Sequence, residues 1–427
     1  MTAVMQGSLR YFVDIKNGGT PASGEADYWD GNVKWATPED LGKLAGDRIV
    51  RTKRQVTAKA VEESNLSVLP KGSVLISTRA PIGHMAITAE PMAFNQGCRG
   101  LILGEKVYGP FLYYLLKSRV PELNAVANGT TFVELSRDEL ADVRVFLPHL
   151  HVQRRIAVFL DEKTARIDAL IKKKQALLER LAEKRQALIT HAVTKGLDPD
   201  VTMKPSGVDW IGDVPERWMV APVKRIAKLE SGHTPDKKVD EYWQDCDIPW
   251  VSLNDTDALR SGDYIDDTAL KINELGLANS SARMLPPRAV VFTRDATIGE
   301  SAITTRSMAV SQHIIAWICD VEMMVPEYLL FAIYSMTQEL MRLTNGSTIG
   351  TIGLTDVKSI HVPVPTIDEQ LAIVRHVSEG KDHVGRIIVA VQSSVDTLRE
   401  YRSALITAAV TGQISKNSMD TLAGSDS

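Results

Sequence analysis

At 427 residues, with 44% hydrophobic and 24% charged side chains, the chain is long enough for two or three domains with ordinary cores. No run approaches the roughly 18 uninterrupted apolar residues of a membrane span, and "MTAVMQGSLRYF" has no basic-then-apolar signal region, so a cytoplasmic protein without a membrane partner is expected. A net charge of −4 lacks the overall basic footprint of a phosphate-coated surface, and Cys98, Cys246 and Cys319 have none of the paired spacings of zinc sites or disulfide frameworks.

In chain order, residues 1–148 read as a mixed α/β domain of nearly balanced charge. "SVLIS" (Ser73 to Ser77) has the composition of a short buried strand, "GPFLYYLLKS" that of a short helix, and Gly and Pro mark turns around them. "RIVRTKRQVTAK" gathers Arg48, Arg51, Lys53, Arg54 and Lys59 in an expected loop, Arg79 sits just past the strand, and "NGTT" places Thr130 and Thr131 in a turn. After Pro148 more than forty residues lack proline, which predicts a long helix over 149–196. Its seam is Leu160, Ile167, Leu181 and Leu188, interrupted by Lys174, and residues 151–195 carry a net charge of +6. Residues 197–207 read as a linker.

A second mixed domain is expected over 208–365. "AVVFT" (Ala289 to Thr293) predicts its buried strand and "VPEYLLFAIYS" its helix; Arg294 follows the strand, and "NGST" carries Ser347 and Thr348. Residues 196–365 carry a net charge of −9. The second long helix is expected over 366–414 with seam residues Val377, Val384, Val391, Leu398 and Leu405, weakened by Gly380 and Gly385 at about 1 kcal/mol each relative to Ala. Residues 415–427 read as a flexible tail.

The two halves are copies of one unit. "RQALITHAVT" (Arg185 to Thr194) returns as "RSALITAAVT" (Arg402 to Thr411), 217 residues later. Thr20 and Pro21 fall on Thr234 and Pro235, Trp35 on Trp250, Gly83 on Gly299, and Pro148 on Pro365, with the offset drifting only from 214 to 217. The fold class that follows is α+β: two similar mixed α/β domains separated by two long antiparallel helices in an intramolecular coiled coil, with a pseudo-two-fold internal repeat. The alternative is that each helix packs only on its own front domain. Forty helical residues span about 60 Å, against about 34 Å for one turn of B-DNA, so such a pair would act as a spacer.

The chain carries few motifs of catalytic chemistry. There is no "GxxxxGK" phosphate loop, no Gly-rich dinucleotide fingerprint, no Asn-Pro-Pro-aromatic tetrapeptide for a flipped base and no HExxH. "DEK" (Asp161 to Lys163) has the spacing of a nuclease triplet but lies on the long helix without upstream carboxylates, and the acids from Asp236 to Asp267 are irregularly spaced; solvated surface is the better reading of both. No catalytic residue, no metal and no cofactor is expected in this chain.

The repeated pieces "GGTP…YW…VKW" and "HTP…YW…IPW", "STRAPIG" and "TRDATIG", "NQGC" and "SQHI", together with "VPVPTIDEQLAIV" and "DWIGDVPERW", resemble the specificity (S) subunit of Type I restriction-modification systems over essentially the whole chain. The resemblance implies two target-recognition domains that each read half of a bipartite, asymmetric double-stranded DNA sequence, with the helices as a ruler. It implies two modification (methyltransferase) subunits as partners, and two restriction (translocase and nuclease) subunits. S-adenosylmethionine, ATP and Mg would belong to those subunits. One departure stands out. The first long helix opens "PHLHVQRRI" where the second has "PTIDEQLAI", with Gln153 the only polar residue retained, against Gln370, so the start of the first helix is expected to differ locally.

Reading a DNA sequence needs donors and acceptors aimed at base edges and cationic or backbone groups on phosphates. Candidate DNA contacts are therefore Arg51, Lys53, Arg54, Arg79, Thr130, Thr131, Arg294, Ser347 and Thr348. Each has a competing structural reading: a solvated loop for the basic cluster, a plain turn for the threonines and Ser347, an ion pair for Arg79 and Arg294. Trp29, Trp35, Trp243 and Trp250 are expected in the core rather than stacked on bases. Two rival functions remain open on sequence alone: a stand-alone DNA methyltransferase or nuclease with an unrecognised site, and a coiled-coil adaptor with no DNA role.

Overall fold

The computed structural model describes residues 5–44, 46–127, 134–344 and 350–414. The chain divides into two compact units, one of residues 1–175 with 393–427 and the other of residues 176–392. Each unit takes one mixed head and a segment of both long helices.

In the first unit the head is built on a five-stranded sheet in the order Val13–Asn17, Cys98–Leu103, Val74–Ser77, Met85–Thr88, Arg48–Ile49. Val74–Ser77 is buried at every position, because the sheet is covered on both faces and no residue of that strand can be polar-out. A four-stranded sheet, Arg54–Val56, Trp29–Ala36, Met92–Phe94, Val68–Leu69, packs alongside, and Met5–Ser8 pairs with Arg144–Leu147. Helix Gly109–Ser118 begins with Pro110 in its first turn, where a missing N–H costs nothing, and buries every residue through Leu116. The basic stretch Arg48–Lys59 is less of a loop than its composition suggests. Arg48 and Arg54 lie in strands and Lys59 in helix Ala58–Glu63, leaving residues 50–53 as the loop.

The second unit repeats this order strand for strand: Ala227–Ser231, Ile314–Cys319, Val290–Thr293, Ser301–Thr304, Tyr264–Ile265 in one sheet, and Lys271–Ile272, Ile248–Val251, Met308–Val310, Met284–Leu285 in the other. Its helix is Pro326–Ser335. Gly83 and Gly299, which coincide in the repeat, take the same left-handed conformation (φ 90° and 97°) that excludes a β-carbon at this turn. The stretch 197–207 is not a bare linker: Met203–Pro205 pairs with Asp213–Pro215 as an antiparallel hairpin.

The long helices are Leu150–Lys195 and Ile367–Val410. In the first unit Leu160 and Ile167 share a core with Leu405, Ile406 and Ala409, Leu398 packs against it, and Arg402 Nε meets Asp168 at 2.9 Å. In the second unit Leu188 lies against Gly380 while Trp218 touches both Gly196 and Glu369, so the end of the first helix meets the start of the second and the helices run antiparallel. None of the nine seam residues faces solvent: Leu160, Ile167, Leu181, Val377, Val384 and Leu405 are buried, and Leu188, Val391 and Leu398 half-buried. The two glycines of the second helix differ. A β-carbon at Gly380 would lie 2.8 Å from Leu188 Cδ1, so this glycine admits the close approach of the facing leucine rather than merely weakening the helix; one at Gly385 would meet nothing within 4 Å. Gly385→Ala should therefore raise stability by about 0.5–1 kcal/mol through helix propensity alone, and Gly380→Ala should not, as read by urea denaturation.

The start of the first long helix shares a buried glutamine with the second but differs at the cap: Thr366 Oγ1 accepts from the Glu369 amide (3.4 Å) and Glu369 holds Arg217 and Trp218, whereas His149 and Val152 stand at those positions in the first. Gln153 is fully buried; its Oε1 accepts from the Tyr108 amide (2.8 Å) and its Nε2 donates to the carbonyls of Lys106 (2.9 Å) and Pro148 (2.8 Å). Gln370 is equally buried and does the same with Val325 (2.8 Å), Met323 (2.8 Å) and Pro365 (3.0 Å). One carboxamide satisfies three main-chain groups where helix, strand and loop converge. The retained polar residue is the one that geometry requires, and the neighbours that changed are not part of it.

Candidate nucleic-acid interface

In each head two tryptophans pack edge to face, Trp29 with Trp35 (centroids 5.3 Å apart, 81°) and Trp243 with Trp250 (5.6 Å, 78°). Trp29, Trp35 and Trp250 are buried, and the indole N–H of each of the four donates to a main-chain carbonyl. They are structural. The Trp35 amide donates to Thr52 Oγ1 (3.3 Å), which donates to the Arg54 carbonyl (2.6 Å); the Trp250 amide uses Thr268 in the same way (3.0 Å), and Thr268 donates to the Leu270 carbonyl (2.6 Å). Asp40, in a capping box with Thr37, accepts from the Lys53 amide (2.9 Å), and Asp255, in one with Ser252, accepts from the Ala269 amide (2.6 Å). Both heads therefore hold one loop at one place by main-chain braces.

The side chains on that shared frame differ. Arg51 extends from the first loop without an ion pair among the described residues. Lys53 lies 3.5 Å from Glu39, Lys59 3.2 Å from Asp27, and the Arg54 guanidinium sits 3.4 Å over the Trp29 ring. On the second loop stands Asp267, whose carboxyl is held below the usual range by the Lys271 hydrogen bond and which also pairs with Arg306 (2.9 Å). Cation meets acid at equivalent positions.

A second shared cluster lies where Asn95 donates its amide to the Ala36 carbonyl at the end of Trp29–Ala36 (2.8 Å). Thr20 donates to Gln96 Oε1, and Asn95 Nδ2 donates to Thr20 Oγ1 (2.9 Å). Nearby, Arg79 Nε donates to Glu134 Oε2 (3.1 Å), and Arg99 Nη2 lies 3.5 Å from the other oxygen of Glu134. In the second head Thr234 donates to Gln312 Oε1 (2.5 Å), Gln312 Nε2 lies 3.1 Å from His313 Nε2, and His313 Nδ1 lies 2.6 Å from Asp295 Oδ2. The bridges Arg79 to Glu134 and Asp295 to Thr351 coincide in the repeat, so Asp295, not Arg294, stands where Arg79 stands. Arg294 is mostly covered, its Nε 3.6 Å from Asp295 Oδ1. Thr130, Thr131, Ser347 and Thr348 lie outside the described residues.

Sequence reasoning missed Thr20, Gln96, Arg99, Thr234, Gln312, Asp295 and His313 as a group. The available signal was that "TP" and "NQG" or "SQH" recur together in both copies, which ties their positions in space. "DEK" is a helix face: Asp161 accepts from the Tyr114 hydroxyl (2.8 Å). Among the described residues no group of His, Cys, Asp and Glu is placed to hold a metal, and no helix is long and apolar enough to cross a membrane.

The sequence profile described as Type I restriction modification DNA specificity domain matches residues 4–180 and again 215–380, most of the chain. This chain belongs to that family. Each match covers one head and part of the long helix that follows, so the family's unit is the repeat seen in the strand order. The specificity subunit of the Type I restriction enzyme MjaIX from Methanocaldococcus jannaschii is 27% identical over 423 residues, covering 94% of this chain and 91% of the relative. That of EcoBI from Escherichia coli is 23% identical over 341 residues, covering 76% and 70%. Among solved structures, a chain from work on complex assembly and conformational transition of the type I R-M system superposes with a TM-score of 0.74 at 16% identity, covering 96% of this chain and 98% of that one. The HsdS subunit from Thermoanaerobacter tengcongensis superposes with a TM-score of 0.54 at 15% identity, covering 96% and 97%. These superpositions show the specificity-subunit fold, and the sequence match shows the family.

Proposed function

We propose that this chain is the DNA-reading subunit of a Type I restriction-modification complex, in which each head reads one half of a bipartite, asymmetric double-stranded target. The observation that carries this reading is the pair of heads fastened by the same hydrogen bonds, Trp35 to Thr52 and Trp250 to Thr268, with Arg51 on one frame and Asp267 at the same place on the other. Two copies of one scaffold bearing opposite charge suit two different half-sites. The long helices, 46 and 44 residues, are each about 65–70 Å long and serve as the ruler. Their repeated ends, Arg185 to Thr194 and Arg402 to Thr411, offer equivalent surfaces on which two modification subunits dock with two-fold symmetry. Two restriction subunits complete the assembly in the cytoplasm. S-adenosylmethionine, ATP and Mg belong to those partners, and this chain contributes aim rather than catalysis.

Mapping methylated adenines in cells with and without this gene tests the reading. A split motif methylated only when the gene is present is the expected result, and an unchanged methylation map overturns it. The lone chain incubated with DNA and labelled S-adenosylmethionine should transfer no methyl group; transfer would favour the stand-alone methyltransferase.

A further inference from the structure

The polar cluster around Gln96 and its counterpart around Gln312 contains more hydrogen-bonding capacity than the protein uses. Arg99 Nε in the first head and Ser311 Oγ in the second are buried and have no hydrogen-bond partner among the described residues, and Arg294 Nε and Asp295 Oδ1, also buried, face each other at 3.6 Å, too far for a hydrogen bond. Buried polar atoms are ordinarily satisfied, so unsatisfied ones beside Gln96 in one head and beside Gln312 in the other mark a place where a further polar group can bind.

We infer that this cluster is the base-reading slot of each head, with Arg79 contacting a guanine edge in one half-site and Gln312 an adenine edge in the other; the inference rests on the DNA-reading role proposed above. Arg79 is half exposed and uses Nε on Glu134, which fixes the plane of the guanidinium and leaves its two terminal nitrogens for a bidentate contact. That fork matches the O6 and N7 acceptors of guanine. In the second head Thr234 binds Gln312 Oε1 and the imidazole of His313 faces Nε2, so the carboxamide has one orientation, with one lone pair and one N–H still to give. That pair of groups matches adenine N6 and N7. Asp295 acts through His313, which it holds at 2.6 Å, and is a positioning residue. Phosphate is a poor occupant, because Glu134 offsets the cations of the first slot and a phosphate in the second would meet the Asp295 carboxylate, which already faces Arg294. Fixed side chains lose little rotamer freedom on binding, which is what a selective contact needs.

The test is selection from a duplex library randomised across both half-sites, using the full chain assembled with its modification subunits. Arg79→Ala should lower discrimination for a single G·C pair in one half-site by about 10- to 100-fold and leave the other half-site unchanged. Arg79→Lys, which keeps the charge and loses the fork, should not restore it. Gln312→Ala should do the same at a single A·T pair in the other half-site, and Asp295→Asn should relax that same pair, an effect that lost packing alone would not produce. Unchanged base preference in these variants, or affinity weakened equally for every sequence, overturns the slot. A wild-type complex with no split preference would instead overturn the DNA-reading role itself, so the two failures are distinguishable.

Discussion

Gln370→Leu should lower the stability of the second unit by about 3–5 kcal/mol, and Gln153→Leu should do the same to the first. Each substitution keeps the side chain's bulk and strips one acceptor and two donors from a fully buried position. An amide N–H and two carbonyls lose their partner, and each buried group left unsatisfied costs about 1–3 kcal/mol; entry of water at the helix start would offset part of it. Urea midpoints give the magnitude, and hydrogen exchange gives the place. Protection should fall around 323–325 and 365–370 in the one variant and around 106–108 and 148–153 in the other. A shift below about 0.5 kcal/mol in either would mean that these carboxamides are replaceable by solvent, and that the convergence of head and helix is held by apolar packing alone.

Trp218→Ala should cost about 3–5 kcal/mol, the range for emptying a large buried aromatic site. The indole is 2% exposed and packs in one cluster with Ile189, Ala192 and Val193 of the first long helix and Ile373 and Val377 of the second. Its ring also lies against Gly196, whose positive φ and absent β-carbon leave room for it, and its N–H donates to Glu369 (3.3 Å), which Arg217 also holds. Burial pushes the Glu369 carboxyl up, but the hydrogen bonds from Arg217 and Trp218 outweigh it and hold the pKa below the usual value. Trp218→Phe keeps most of the volume and loses only the N–H, so it should cost less than half as much. Equal losses in both variants would place the energy in the hydrogen bond rather than in the packing.

How far sequence could lead differs from element to element. The duplication, the buried strands Val74–Ser77 and Val290–Thr293, and the helices Gly109–Ser118 and Pro326–Ser335 were legible because burial imposes a composition and a period that survive in single residues. Heptad spacing likewise picked out positions that are buried or half-buried, with Leu160, Ile167, Leu398 and Leu405 packed in one core. What escaped is what periodicity does not encode. Arg79 meets Glu134 fifty-five residues away, and nothing along the chain announces a pair formed across two connecting segments. Hydropathy also treats Gly380 as a weak helix residue, whereas its meaning lies in the leucine opposite. The glutamine hub fell between these cases: Gln153 was visible as a retained letter inside a divergent stretch, but its three main-chain partners were not. The turns holding Thr130, Thr131, Ser347 and Thr348 remain expectations of sequence.

The loops at Thr52 and Thr268 are fastened by hydroxyls and main-chain amides, and the amides of Lys53 and Ala269 are held whatever side chain each carries. Substitution at positions 51, 53 and 269 therefore leaves these fastenings in place, whereas Asp267 also accepts from the Thr268 amide (3.0 Å) and belongs to the frame of its loop. A lineage under pressure to abandon an old target can change what these loops present one codon at a time, every intermediate still folded, so inventing a new address does not first require surviving the collapse of the old one.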